Sequence, residues 1–179
     1  LKSFDSLVIR SQKGASSTTI NAQGQGRHFN LIASDRDIDS SFQFIGLTFR
    51  GGYSNERGGS FTIESIPQGF DSPVVQPKFT DCVFTHNSAS DNEFVAMGGA
   101  IYTYNASPIF ENCVFDTNFS NRGGAIFSSG DIDDDIGPMY IRNSIFRNNS
   151  VQNNDGNPNS MGGAIFIQIA TNIVISGST

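Results

Sequence analysis

Apolar and polar positions along this chain follow one motif four times. It reads Phe44-Ile45-Gly46-Leu47-Thr48-Phe49, then Phe79-Thr80-Asp81-Cys82-Val83-Phe84, then Phe110-Glu111-Asn112-Cys113-Val114-Phe115, then Ile141-Arg142-Asn143-Ser144-Ile145-Phe146. Three residues beyond each last Phe stands Gly52, Asn87, Asn118 or Asn149. After an insert of variable length each copy closes on Gly-Gly and a small residue: Gly58-Gly59-Ser60, Gly98-Gly99-Ala100, Gly123-Gly124-Ala125 and Gly162-Gly163-Ala164. A repeat of roughly 30–40 residues marks a solenoid, in which each unit buries its apolar face only against its neighbours.

The spacing predicts short strands joined by sharp corners. Gly46, Asp81, Asn112 and Asn143 form one column of residues that tolerate the left-handed backbone, and Gly52, Asn87, Asn118 and Asn149 form a second. Alternation across the first corner points Phe44, Phe79, Phe110 and Ile141 inward, with Leu47, Cys82, Cys113 and Ser144 beside them. Phe49, Phe84, Phe115 and Phe146 follow as a core ladder, while Thr48, Val83, Val114 and Ile145 face out. A third strand follows each Gly-Gly, with Phe61, Ile101, Ile126 and Ile165 in the core. The fold expected is therefore all-β, a right-handed parallel β-helix with three strands per coil and about five to six coils, its hand set by the rule for parallel crossovers.

Residues 1–40 read as an entry coil, with Leu7-Val8-Ile9, Thr18-Thr19-Ile20 and His28 to Ile32 as strands. Residues 41–172 hold the four repeat coils, and 173–179 begin a further coil of the same single domain. Neither terminal stretch carries an amphipathic helix or a charge-protected edge, so its strands are pairing-competent. Together with an opening at Leu1 rather than Met, this points to a segment that continues in a longer polypeptide or adds end to end onto another copy.

Composition narrows the partners. Charged residues make up 16% and the formal net charge is −6, which argues against nucleic acid and anionic membrane surfaces. No run of eighteen apolar residues exists, so no membrane-spanning helix is expected. Cys82 and Cys113 share a column in adjacent coils. Their Cα spacing suits a disulfide, but parallel stacked side chains hold the Cβ atoms beyond the preferred ~3.8 Å, so buried thiols are the favoured alternative.

The repeat Phe-x-x-Cys-x-Phe-x-x-Asn followed by Gly-Gly-Ala-Ile resembles the repeats of the chlamydial polymorphic membrane proteins and related pectin-lyase-like β-helix surface proteins. The residues that carry the likeness are Phe110 to Asn118 with Gly123 to Ile126, Phe79 to Asn87 with Gly98 to Ile101, and Ile141 to Asn149 with Gly162 to Ile165. The stretch from Ile9 to Phe29 is similar to the entry coil of such proteins. The first coil departs from the pattern, with Leu47 for Cys and Ser60-Phe61 for Ala-Ile. The resemblance implies an extracellular or surface-exposed rod, often adhesive.

The same fold hosts polysaccharide lyases and hydrolases, whose outer strand faces carry clustered carboxylates with calcium, an Arg or Lys base, or two to three Asp. The corresponding face here carries Thr62, Tyr102, Phe127 and Phe166, and His28 and His86 stand in different coils without an obvious carboxylate partner. No catalytic residues and no cofactor are expected. Asp131, Asp133 and Asp135 are the one candidate set for Ca²⁺, but Gly137 falls one place late for an EF-hand loop and Arg142 stands where its distal Glu belongs, so a solvated loop is favoured. Tyr102, Phe127 and Phe166 read as an outward apolar stripe fit to contact another subunit, a loop or a sugar. Sequons occur at Asn105, Asn118 and Asn148, of which Asn105 and Asn148 are the better acceptors in a eukaryotic setting.

The leading expectation is a non-catalytic extracellular structural protein, fibre-forming or surface-adhesive, that associates with itself end to end or with adjacent coils of its own chain and contacts a host surface or glycan. The alternative is a carbohydrate-binding or polysaccharide-degrading β-helix.

Overall fold

The computed structural model describes residues 6–66, 72–90, 96–131, 137–151, 160–168 and 172–179. Its strands stack into four parallel sheets. The first sheet runs β1 (Leu7–Arg10), β4 (Phe42–Ile45), β8 (Lys78–Thr80), β12 (Ile109–Glu111), β16 (Met139–Arg142) and β20 (Ile173–Ser176). The second holds β2 (Thr19–Asn21), β5 (Thr48–Arg50), β9 (Val83–Thr85), β13 (Val114–Asp116) and β17 (Ile145–Arg147). The third holds β3 (Phe29–Ala33), β7 (Phe61–Ser65), β11 (Ile101–Tyr104), β15 (Ile126–Ser129) and β19 (Ile165–Gln168). A fourth consists of the two-residue strands β6 (Tyr53–Ser54), β10 (Ser88–Ala89), β14 (Phe119–Ser120) and β18 (Ser150–Val151). The chain is an all-β parallel solenoid of stacked coils, with no helix among the described residues.

One expectation changes: the coil has a short fourth strand beside the three expected, while the six strands of the first sheet and five of the second and third give the five to six coils read from the repeats. The cause of the extra strand lies at the second corner. The left-handed residue there is Gly51, His86, Thr117 or Asn148, one place before the column assigned to it. Gly52, Asn87, Asn118 and Asn149 do not have positive φ. They follow the bend, and the next two residues are free to extend and pair.

The first corner is left-handed at every copy: Gly46 at 63°, Asp81 at 53°, Asn112 at 52° and Asn143 at 50°. These residues lie in single file. Gly46 N donates to Thr80 O at 2.9 Å, Asp81 N to Glu111 O at 3.0 Å, and Asn112 N to Arg142 O at 3.0 Å. Asn143 N then reaches Ser176 O at 2.8 Å, so Gly177, at φ 59°, extends the column by one more corner.

Alternation about these corners builds the core. Phe44, Phe79, Phe110 and Ile141 are completely buried in register, as are Phe49, Phe84 and Phe115. Phe61, Ile101 and Ile126 close the third side, so the third strand has the register expected of it. Rings in one column stack nearly parallel: Phe84 on Phe115 at 4.8 Å and 9°, and Phe115 on Phe146 at 4.6 Å and 6°. Rings from different sheets meet edge-on, as with Phe49 and Phe61 at 4.9 Å and 89°. Each such pair adds about 0.5–1.5 kcal/mol beyond burial itself.

The Gly-Gly pairs fit one coil over the next. Gly123 takes a left-handed φ of 64°, whereas Gly124 is needed for its missing side chain, since a Cβ there would collide with the carbonyl of Gly163 in the following coil.

Candidate functional site

Two ladders of side chains run along the corners. Past the second corner, Asn87 Nδ2 donates to Phe49 O at 3.1 Å and to Asn118 Oδ1 at 3.0 Å. Asn118 Nδ2 repeats this with Phe84 O and Asn149 Oδ1, both at 2.9 Å. Backbone N–H groups add to the same oxygens: Gly52 N donates to Asn87 Oδ1 at 2.8 Å and Asn87 N to Asn118 Oδ1 at 3.1 Å. Every buried amide in this file is thereby satisfied. Asn87, Asn118 and Asn149 are thus a structural ladder turned inward, while the backbone bend belongs to their predecessors.

The first corner carries a second file. Cys82 and Cys113 are free, buried thiols. Cys82 Sγ donates to Phe44 O at 3.3 Å and Thr80 O at 3.4 Å, and Cys113 Sγ donates to Phe79 O at 3.5 Å and Glu111 O at 3.4 Å. Ser144 Oγ makes the equivalent bond to Arg142 O at 3.0 Å, and Ser178 Oγ to Ser176 O at 3.1 Å. Thiol and hydroxyl therefore do the same work, closing the corner onto the carbonyl two residues back. Burial pushes the Cys82 thiol up to about 11 and raises Cys113 well above the ordinary thiol value, in both cases by excluding water from the thiolate.

The proposed contact stripe is present as a column but is not open. Tyr102 stacks on Phe127 at 5.5 Å and 7°, and Phe127 on Phe166 at 5.4 Å and 34°. Tyr102 is only 3% exposed and Phe127 1%, so neither ring can meet a subunit or a sugar directly. Each left-handed glycine turns the entering chain back against its own strand, Gly98 onto Ile101 and Tyr102, and Gly123 onto Ile126 and Phe127. The Arg57 guanidinium also lies over Tyr102, 5.0 Å from its centroid, with Arg57 Nη1 3.7 Å from Glu64 Oε1. The stripe is a second, outer packing ladder.

The remaining candidates separate in the same way. Asn105 is buried, with Nδ2 donating to Asp131 Oδ2 at 3.2 Å and Oδ1 accepting from Asp131 N at 2.7 Å. A glycan at Asn105 would have to displace that pair, which corrects the sequence reading. Asn118 is committed to the amide ladder. Asn148 is exposed, its Nδ2 donating to Asp116 Oδ1 at 3.1 Å, and is the open acceptor of the three. Asp131 Oδ1 also accepts from the Tyr104 hydroxyl at 2.8 Å. Asp133 and Asp135 lie outside the described residues, and no cluster of three or more His, Cys, Asp or Glu suited to a metal occurs among the described ones.

Neither histidine stands in a charged cluster. His28 is half-buried, with Nε2 3.0 Å from Ile20 O and Nδ1 2.9 Å from Ser60 Oγ. The carbonyl requires the proton on Nε2, which leaves Nδ1 to accept from the hydroxyl, and burial lowers its pKa. His28 thus ties the entry coil to the next. His86 Nδ1 lies 2.7 Å from Thr85 Oγ1.

The sequence reading missed a charge file on the outer face of the first sheet. Glu111 lies between Lys78, at 2.8 Å, and Arg142, at 3.2 Å, so one carboxylate links three coils. The Lys78 hydrogen bond, then its charge and Arg142, hold the Glu111 carboxyl below its ordinary range. Aligning the repeats reveals the signal, because Glu111 and Arg142 occupy one register position. No helix of the described residues is long and apolar enough to cross a membrane.

No family model matches the chain, and neither the curated proteins nor the solved structures yield a significant match.

Proposed function

We propose that this chain is a non-catalytic, extracellular structural solenoid, a stiff element of a fibre or an adhesive surface. The observation that carries this reading is that side chains of chemical interest are consumed by coil-to-coil packing. The amide file Asn87–Asn118–Asn149, the thiol and hydroxyl file at the first corner and the aromatic file Tyr102–Phe127–Phe166 each link one coil to the next. The carboxylates of Glu64, Glu111 and Asp116 are likewise each paired with a cation. Such ladders resist bending and sliding between coils, which suits a mechanical role. The resemblance of the repeat to those of chlamydial polymorphic membrane proteins supports the surface setting.

Solution scattering and electron microscopy test the reading: elongated particles are expected, and compact spheres would overturn it. Incubation with polygalacturonate and other acidic glycans tests the non-catalytic part. New unsaturated or reducing ends would replace it with the polysaccharide-degrading alternative.

A further inference from the structure

We propose that Asn148 carries an N-linked glycan, and that the folded solenoid admits a glycan at this sequon and at neither of the other two. The inference rests on the extracellular reading above and names a modification of the surface it describes.

The sequons at Asn105, Asn118 and Asn148 are equivalent as sequence. The stack makes them unequal, because the last two enter their coils one residue out of step. Asp116 pairs with Arg147 and Phe119 with Ser150, so Asn148 lies over Thr117 and Asn149 over Asn118. Asn118 therefore stands in the inward amide file, whereas Asn148 stands at the left-handed corner, with φ 55°. In Asn118-Phe119-Ser120 the amide and the hydroxyl are both 0% exposed. In Asn148-Asn149-Ser150 both are exposed. Asn105 and Ser107 are buried like the pair at Asn118.

The amide hydrogens carry the argument further. Glycosylation replaces one N–H of Nδ2 by a bond to the anomeric carbon of a sugar. That carbon's bond to the phosphate oxygen of a lipid-linked sugar diphosphate breaks, the lipid diphosphate leaves with the bonding electrons, and the amide proton passes to a base of the transferase. One N–H remains. Asn118 Nδ2 uses both of its hydrogens, on Phe84 O and Asn149 Oδ1, so a sugar there breaks the file and forces a bulky polar chain into the interior. Asn105 is held on both side-chain atoms by Asp131. Asn148 Nδ2 makes one hydrogen bond among the described residues, to Asp116 Oδ1 at 3.1 Å. The N–H that survives glycosylation keeps that bond. Asp116 is itself fixed by Thr117 Oγ1 at 2.9 Å and Arg147 Nη2 at 3.0 Å. Two coils thus hold the attachment point, and the exposed Thr117, Arg147 and Ser150 leave the sugar open to solvent. Transfer acts on the translocating chain before its coils stack, so the fold selects among products: chains modified at Asn105 or Asn118 cannot complete the solenoid.

Expression behind a secretory leader in a eukaryotic host tests this. Folded chain from the medium and the secretory lumen is isolated by size-exclusion chromatography and treated with peptide-N-glycosidase in heavy-oxygen water. The enzyme converts each glycosylated Asn to a labelled Asp, which peptide mass mapping locates. Label is expected at Asn148 and at neither Asn105 nor Asn118. Asn148→Gln should abolish the glycan. Because Asn148 holds a positive φ, Ser150→Ala is the second variant: it leaves the corner intact and should abolish the glycan equally, while Ser150→Thr should retain it. Three results would overturn the inference: no label at Asn148 in the parent chain, label at Asn105 or Asn118 in the folded fraction, or a glycan that persists in Ser150→Ala. An elongated chain with Asn148 unmodified would defeat this inference alone, whereas compact particles or glycan cleavage would defeat the functional reading instead.

Discussion

The side-chain amide of Asn87 donates to Oδ1 of Asn118 at 3.0 Å, one full coil further along the stack. Each Asn in this file both gives and accepts, so removing the middle member breaks bonds on both sides. Asn118→Ala removes the side-chain donor to Phe84 O and the acceptor of the Asn87 backbone N–H in a buried setting, while Asn149 Oδ1 keeps the backbone N–H of residue 118 and Asn87 Nδ2 keeps Phe49 O. Buried groups left unpaired cost about 1–3 kcal/mol each, and relaxation recovers part of the sum. We expect a loss of about 3 kcal/mol in denaturant unfolding. Asn118→Asp should do no better, because a carboxylate would face Phe84 O and Asn149 Oδ1 where the amide donates. A change below about 0.5 kcal/mol in either variant would show that the file contributes geometry without stability.

The glycine pairs make a position-specific prediction. Gly124→Ala places a methyl against the Gly163 carbonyl, and backbone on the far side cannot rotate away. The coils must separate locally, which we expect to lower stability by at least about 2 kcal/mol, in the range of overpacked cores. Gly163→Ala has open space above it and should change unfolding of the single chain by less than about 0.5 kcal/mol. Thermal unfolding of the two variants side by side checks the contrast. Equal effects would mean that helical and strand propensities, rather than coil spacing, govern the position.

Much of this architecture was legible because the repeat exposes each column separately. Gly46, Asp81, Asn112 and Asn143 are residue types that tolerate positive φ, and the first corner lies where they stand. The second corner misled for a physical reason. His86 and Thr117 carry the left-handed conformation there, and Thr117, β-branched with φ at 56°, is a type that does not announce it. The adjacent Asn column looked like the bend because Asn also suits buried amide ladders, a role that only three-dimensional stacking reveals. The aromatic file was legible in register but not in exposure. Alternation places Tyr102 and Phe127 outside the core correctly, yet it carries no information about a second layer such as Arg57 over the Tyr102 ring.

The thiol file links burial to pH. Cys82 has an ordinary value of 9.0 when exposed and is pushed up to about 11 in the fold, chiefly by loss of water around the thiolate. A raised folded pKa means that the native state holds its proton more tightly than the unfolded chain. Its contribution is therefore complete below about pH 9 and is lost as pH rises toward 11. Cys113 shifts in the same direction, so stability measured by urea unfolding should fall steadily across that window. The Cys82→Ser and Cys113→Ser double variant should flatten the decline. Ser144 and Ser178 already serve the same corner position, each donating to the carbonyl two residues back. The substitution thus keeps the hydrogen bond while removing the titrating group. The native thiols should also react with a disulfide reagent at pH 8 at least ~100-fold more slowly than in urea, since the thiolate is the nucleophile and both sulfurs are buried. Rapid native labelling, or an unchanged pH slope in the double variant, would place the cause of alkaline loss elsewhere in the fold.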